Sequence, residues 1–218
     1  MRLLSIIFIV FLLSLNIDCS ENKDNVSLKG TWQYAEGFDE SYLSHPEKLQ
    51  WRDVEVPFDF RRIQKFSDYT GYLTVRKKFP ESIQSRIGLP LSIFLNQLCD
   101  VSEIYINTTK IGSLGTVEPY HSAMYRDFLG DIPQNSLLNE SDNFLNIVLY
   151  AKEGTPLYIA GPDLYMGPAA DVYEQYYIQE ILSLSLIVFY IIAGLYHLLL
   201  FYKRRSEFEY LLFGITAF

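Results

Sequence analysis

The sequence predicts an all-β sandwich followed by a transmembrane α-helix. From Val26 to Ala151 it is a succession of short runs, alternating or continuously apolar, with Gly, Pro, Asn and Asp between them. From Ile181 to Phe201 it has 21 residues without Asp, Glu, Lys or Arg. As a helix rising about 1.5 Å per residue, that run just crosses a hydrocarbon core of about 30 Å. Before residue 172 no long helical period occurs, so the short runs are read as strands of two packed sheets.

Taken in order, residues 1–19 read as a signal peptide. Arg2 supplies the positive start, and Leu3 to Leu15 is an apolar core broken only by Ser5 and Ser14. Its end leaves two alternatives, cleavage near Cys19 or Ser20, or lipid modification of Cys19. Val26 to Tyr34 is the first strand, bent at Gly30, and the polar stretch Ala35 to Gln50 is a loop. Val54 and Val56 form a strand that Pro57 ends, because proline has no N–H to give a ladder.

Tyr72 to Phe79 is a period-two run closed by Pro80. Leu89 to Leu95 and Val101 to Ile106 follow as strands, and Asn107 to Gly112 supplies turn residues between two short strands. Ala123 to Leu129 alternates and is expected to stop at Gly130, and Phe144 to Ala151 is the last strong strand. Residues 154–177 read as a last strand or loop leading to an aromatic approach to the membrane, where Tyr173, Tyr176 and Tyr177 suit the interface. The expected boundaries are a sandwich over residues 24–165, a juxtamembrane segment 166–178, a span 179–202, a basic loop 203–208 and the start of a second span at 209–218.

Lys203, Arg204 and Arg205 follow the span, whereas Asp163, Asp171, Glu174 and Glu180 precede it. The excess of Lys and Arg after the span puts its C-terminal end in the cytoplasm and everything before Ile181 outside. The final apolar residues 211–218 are too few to cross a bilayer, so the chain is expected to be the front part of a longer protein.

The formal charge is −8 and, apart from Arg76-Lys77-Lys78 within an alternating run, no Lys/Arg-rich run lies outside the membrane flank, which argues against nucleic acid as a partner. Two cysteines are too few for a disulfide framework. The 3 His and 2 Cys are dispersed without ligand spacing, so neither a metal nor a cofactor is expected. An aromatic share of 16% fits a large β core or a carbohydrate-facing surface, and composition leaves both open.

Candidate ligand-binding residues are Tyr120, His121, Tyr125, Arg126 and Asp127, which bring aromatic rings, an imidazole and a guanidinium to one loop-to-strand junction. Arg126 equally suits a structural ion pair. Tyr69, beside Asp68 and near Arg61 and Arg62, is a weaker loop candidate. Trp32 and Trp51 either stack on a sugar ring or pack the sandwich. His197, inside the span, is expected to hydrogen-bond to a neighbouring helix or the interface rather than relay protons.

Gly30-Thr31-Trp32, Trp51 through Val56-Pro57, and Gly71-Tyr72 through Phe79-Pro80 resemble the opening of the sugar-binding domain of family 2 glycoside hydrolases. Leu89 to Leu95, Val101 to Asn107 with Lys110-Ile111-Gly112, and Phe144 to Tyr150 resemble its later strands, with Thr108 where that domain usually has glycine. The resemblance implies a galactose-binding-like jelly-roll β-sandwich. No room remains for the large catalytic barrel of such an enzyme.

A jelly roll followed by a span, a basic loop and Glu209-Tyr210-Leu211-Leu212-Phe213-Gly214 is similar to bacterial seven-transmembrane receptors with diverse intracellular signalling modules. That resemblance implies a non-enzymatic sensory part in the bacterial cell membrane, with a periplasmic domain that binds a carbohydrate-like ligand. Its partners would be that ligand, membrane lipid and, as a homodimer, a second copy. The cyclase, kinase or phosphatase module of such a receptor is absent from these residues. The alternative is the binding portion of a membrane-tethered, glycoside-acting enzyme.

Overall fold

The computed structural model describes residues 24–124, 126–139 and 141–216. The signal peptide and Cys19 lie outside the described residues, as does Tyr125. Strand β1 (Val26–Ser27) belongs to one sheet and β2 (Gly30–Glu36) to another, and the chain changes sheet at Gly30. Gly30 does this with φ +102°, a conformation that side-chain-bearing residues resist. Trp32 fixes the corner. It is 1% exposed, and its indole N–H donates to the Leu28 carbonyl at 2.7 Å, so this tryptophan packs the sandwich.

The remaining strands are β3 (Arg52–Val56), β4 (Phe58–Asp59), β5 (Gly71–Lys78) and β6 (Leu91–Leu95). Then come β7 (Val101–Ile106), β8 (Thr109–Leu114), β9 (Phe128–Ile132), β10 (Phe144–Ala151), β11 (Tyr158–Ile159) and β12 (Leu164–Pro168). They form a four-stranded sheet in the order β1-β12-β6-β9, a six-stranded sheet in the order β3-β2-β5-β10-β7-β8, and a small β11-β4 pair. Every pairing is antiparallel.

Alternation sends Leu73, Val75, Ile104, Ile106, Ile147 and Leu149 from the larger sheet into the core. They share it with Leu91, Ile93, Leu95, Leu164 and Met166 of the smaller sheet. Burying each such side chain stabilises by about 1.5–3 kcal/mol. This is the sandwich predicted from the period-two runs.

Asn107, at φ 52°, turns the chain between β7 and β8. Its side chain fixes the turn, donating to the Ser136 carbonyl and accepting from the Phe144 N–H.

The strand expected over residues 123–129 lies instead at Phe128–Ile132 and runs through Gly130. A Cβ placed on Gly112 would sit 2.3 Å from the Phe128 ring, and one on Gly130 would sit 2.7 Å from it. The ring lies against one glycine on its own strand and one on β8, an edge strand of the other sheet, so glycine serves here as a packing surface rather than a strand stop.

The outer face of the larger sheet positions the site. Tyr72 stands opposite Tyr150, Thr74 opposite Val148, and Arg76 opposite Asn146. Of the stretch Ala35 to Gln50, expected as a loop, Ala35 and Glu36 complete β2, and the segment from Gly37 to Trp51 crosses this face with a short helix α1 (Ser41–Ser44) and a 3-10 turn (Pro46–Lys48). At one end the Gly37 N–H donates to Tyr72, Thr74 donates back to Gly37, and Phe38 packs on Tyr72 and Tyr105. At the other end the Trp51 indole donates to the Pro46 carbonyl at 2.7 Å.

After a second short helix, α2 (Glu81–Gln84), the next is α3 (Ala169–Lys203), 35 residues long. The sandwich unit ends at Val172 and a helical unit begins at Tyr173. Helix α3 is long and apolar enough to cross a membrane. Within the helical unit, α4 (Phe208–Thr216) returns against α3, and Gly214 abuts Leu198, where a Cβ would approach within 2.7 Å. His197 differs from expectation. Its ring lies 6.1 Å from that of Tyr210 and 5.6 Å from that of Phe213, and Nδ1 is buried with no hydrogen-bond partner among the described residues.

Candidate functional site

A cleft of about 510 Å³ opens beside the Gly37–Trp51 segment. Tyr42, Trp51 and Phe144 give it aromatic walls, and Thr74, Arg76 and Asn146 form its polar floor on β5 and β10. The strand register builds the floor, because positions two apart on one strand face the same side and Arg76 pairs directly with Asn146. The Arg76 guanidinium lies 3.8 Å from the Trp51 ring centroid and 5.3 Å from that of Phe144. Its Nε–H donates to Gln33 Oε1 at 3.0 Å, which fixes its plane. Asn146 is 6% exposed and donates to the Asn107 carbonyl at 3.0 Å.

Burial lowers the Arg76 pKa from its ordinary value. At the rim, Asp142 is paired with Lys78 at 2.7 Å. Aromatic walls, a fixed guanidinium and an amide are groups that suit a polyol with apolar ring faces and hydroxyl edges. Among the described residues no group of three or more His, Cys, Asp and Glu side chains is arranged to hold a metal ion.

The sequence-derived candidates lie elsewhere. The Tyr120 hydroxyl donates to buried Asp100 at 2.7 Å, and Lys152 Nζ sits 4.5 Å from the ring centroid. Burial and the Asp100 carboxylate push the Tyr120 pKa up to about 12. His121 is exposed, and its backbone pairs with Thr116. Asp127 accepts from the Asn96 amide and the Gln97 N–H, while Arg126 is exposed.

Tyr69 packs edge-on against Phe66 and donates to the Tyr72 carbonyl at 2.6 Å, and burial raises its pKa. Arg61 donates to carbonyls of Phe66, Ser67, Tyr69, Lys152 and Thr155, which ties the loop after β4 to the loop after β10. Tyr120 and Tyr69 thus border the Gly71/Ala151 end of the β5–β10 pair, joined through the Lys152–Thr155 loop. The cleft lies toward the opposite end.

Sequence reasoning missed Arg76, Asn146, Phe144 and Tyr42 as a group. The signal for Arg76 was its place in the run Tyr72, Thr74, Arg76, Lys78, which marks one exposed face.

No protein-family profile and no curated protein matches the chain. Among solved structures, it is similar to Bacteroides uniformis β-glucuronidase 2 as a calcium-binding mutant, at 14% identity and TM-score 0.50, over 65% of this chain and 17% of that one. The same enzyme covalently bound to cyclophellitol-6-carboxylate aziridine gives 16% identity and TM-score 0.51, again over 65% and 17%. Bifidobacterium dentium β-glucuronidase complexed with coumarin-3-O-glucuronide gives 15% identity and TM-score 0.47, over 60% and 21%. The chain therefore spans about a fifth or less of these enzymes. At such identities the first two matches show the fold alone, a β-sandwich like one found within family 2 glycoside hydrolases.

Proposed function

We propose that this chain is the sensory and membrane part of a signal-transduction receptor whose outer sandwich binds a carbohydrate-like ligand in the Trp51/Arg76 cleft. The observation that carries this reading is the cleft itself, with aromatic walls above a floor of guanidinium, amide and hydroxyl groups. A long apolar helix continuing from β12 fits a route from an outer domain into a membrane. The Lys203–Arg205 cluster favours the cytoplasm for its C-terminal end, so the sandwich faces the periplasm. In this reading the sandwich through β12 forms the sensor, 179–202 the first span and α4 part of a second, as in bacterial seven-transmembrane receptors with diverse intracellular signalling modules. Catalysis belongs to a cytoplasmic module outside this sequence.

Calorimetric titration of the 218-residue chain in lipid nanodiscs with a panel of mono- and oligosaccharides tests the reading. Saturable heat that Trp51→Ala removes while the sandwich still melts cooperatively is the expected result. A folded chain that binds no saccharide overturns it.

A second reading, the binding portion of a membrane-tethered glycoside-acting enzyme, draws support from the β-glucuronidases that share the fold. The region around Tyr120 and Asp100 is an alternative site. It is favoured by Asp100 Oδ1, which is buried with no hydrogen-bond partner among the described residues.

A further inference from the structure

Among the described residues, one charge in the cleft, that of Arg76, has no counter-charge beside it. Asp142 at the rim is matched by Lys78, and Asp53 accepts from the Gln33 amide at 3.2 Å. Gln33 in turn takes the Nε–H of Arg76. Among the described residues no carboxylate lies within ion-pairing distance of Arg76, and its two terminal NH2 groups have no hydrogen-bond partner. The guanidinium is only half-buried, so its terminal nitrogens stay open to the cleft while no counter-charge offsets the part withdrawn from water. Here Trp51 and Gln33 hold it in one plane, with its terminal donors left for something else. This happens in a protein of formal net charge −8.

We infer that the cleft selects a saccharide carrying an anionic substituent, a uronic-acid carboxylate or a sulfate ester, which pairs with the terminal nitrogens of Arg76. The inference rests on the cleft being the saccharide site. The planar fork of a guanidinium suits two parallel hydrogen bonds to such a group, which a lysine ammonium cannot reproduce. Asn146 beside it is placed to meet a ring hydroxyl, and Tyr42, Trp51 and Phe144 to meet the apolar faces of the sugar, whereas the Thr74 hydroxyl is already donated to Gly37.

The test titrates the full chain in zwitterionic nanodiscs with three oligosaccharides of equal length: oligogalacturonate, sulfated oligogalactose and neutral oligogalactose. At least one anionic form is expected to bind about tenfold or more tightly than the neutral one. Arg76→Gln should erase that preference, Arg76→Lys should keep only part of it, and raising the salt should shrink it in the unmodified chain. The salt series needs no substitution and remains decisive even where Arg76→Gln melts early. A preference for oligogalacturonate assigns the carboxylate, and the reverse assigns the sulfate ester. Equal binding of all three, or a preference that survives Arg76→Gln, overturns the inference. If the neutral sugar binds and Trp51→Ala abolishes that binding, the saccharide site stands without the anion. If none of the three binds, both fall.

Discussion

The guanidinium of Arg76 lies 3.8 Å from the centre of the Trp51 ring, which links β5 to the end of the segment crossing the outer face. A cation so placed is attracted by the ring quadrupole, by about 0.5–1 kcal/mol at exposed sites and by about 2 where water is excluded. A double-mutant cycle of Trp51→Ala and Arg76→Ala, read by denaturation of the nanodisc-embedded chain, should give a coupling of about 0.5–1.5 kcal/mol. Additive effects would mean that the stack does not hold the segment in place.

Gly112→Ala should destabilise the sandwich by about 1–3 kcal/mol, because the new methyl enters the space of the Phe128 ring. Combining it with Phe128→Leu should cost less than the sum of the two. Melting temperatures of the two single variants and the double variant check this.

Arg61→Lys should loosen the Lys152–Thr155 loop, because an ammonium cannot reach the carbonyls of both loops that the guanidinium joins. The expected loss is about 1.5–3 kcal/mol, with faster amide exchange at residues 152–155 than in the unmodified chain. Unchanged exchange would contradict a clamping role.

Cys99 is fully buried, and burial pushes its thiol up to about 12. A thiol-reactive probe at pH 8 should leave it unlabelled in the folded chain and label it in denaturant. The folded pKa lies above the ordinary thiol value of 9.0, so above that pH the unfolded state releases a proton that the folded state keeps. This contribution to stability is present below about pH 9 and is lost progressively as pH rises toward 12. Cys99→Ala should flatten that part of the stability profile.

The sandwich was legible where local pattern and tertiary demand agree. Tyr72 to Lys78 alternates because one face meets the core and the other meets the outer cleft, and Gly30 breaks the first strand because the chain changes sheet there. Phe128–Ile132 was misplaced because Gly130 reads as a stop, and only the opposing Gly112 on β8 shows it to be a bed for an aromatic ring. The cleft was not legible as a whole. Arg76 and Asn146 meet through register across two strands, and Trp51 arrives on a segment without periodicity. Tyr120 and Asp127 drew notice as neighbours in sequence, but the fold engages them separately, with Asp100 and with Asn96.

The chain has two tryptophans, Trp32 in the core and Trp51 in the cleft, so the most direct measurement follows Trp51 emission in a Trp32→Phe variant during saccharide titration. A saturable spectral change with the same midpoint as the calorimetric heat is the predicted result. Heat that saturates while Trp51 emission stays constant would place the ligand elsewhere, with the Tyr120 end as the first region to search, and would contradict assignment of the site to this cleft.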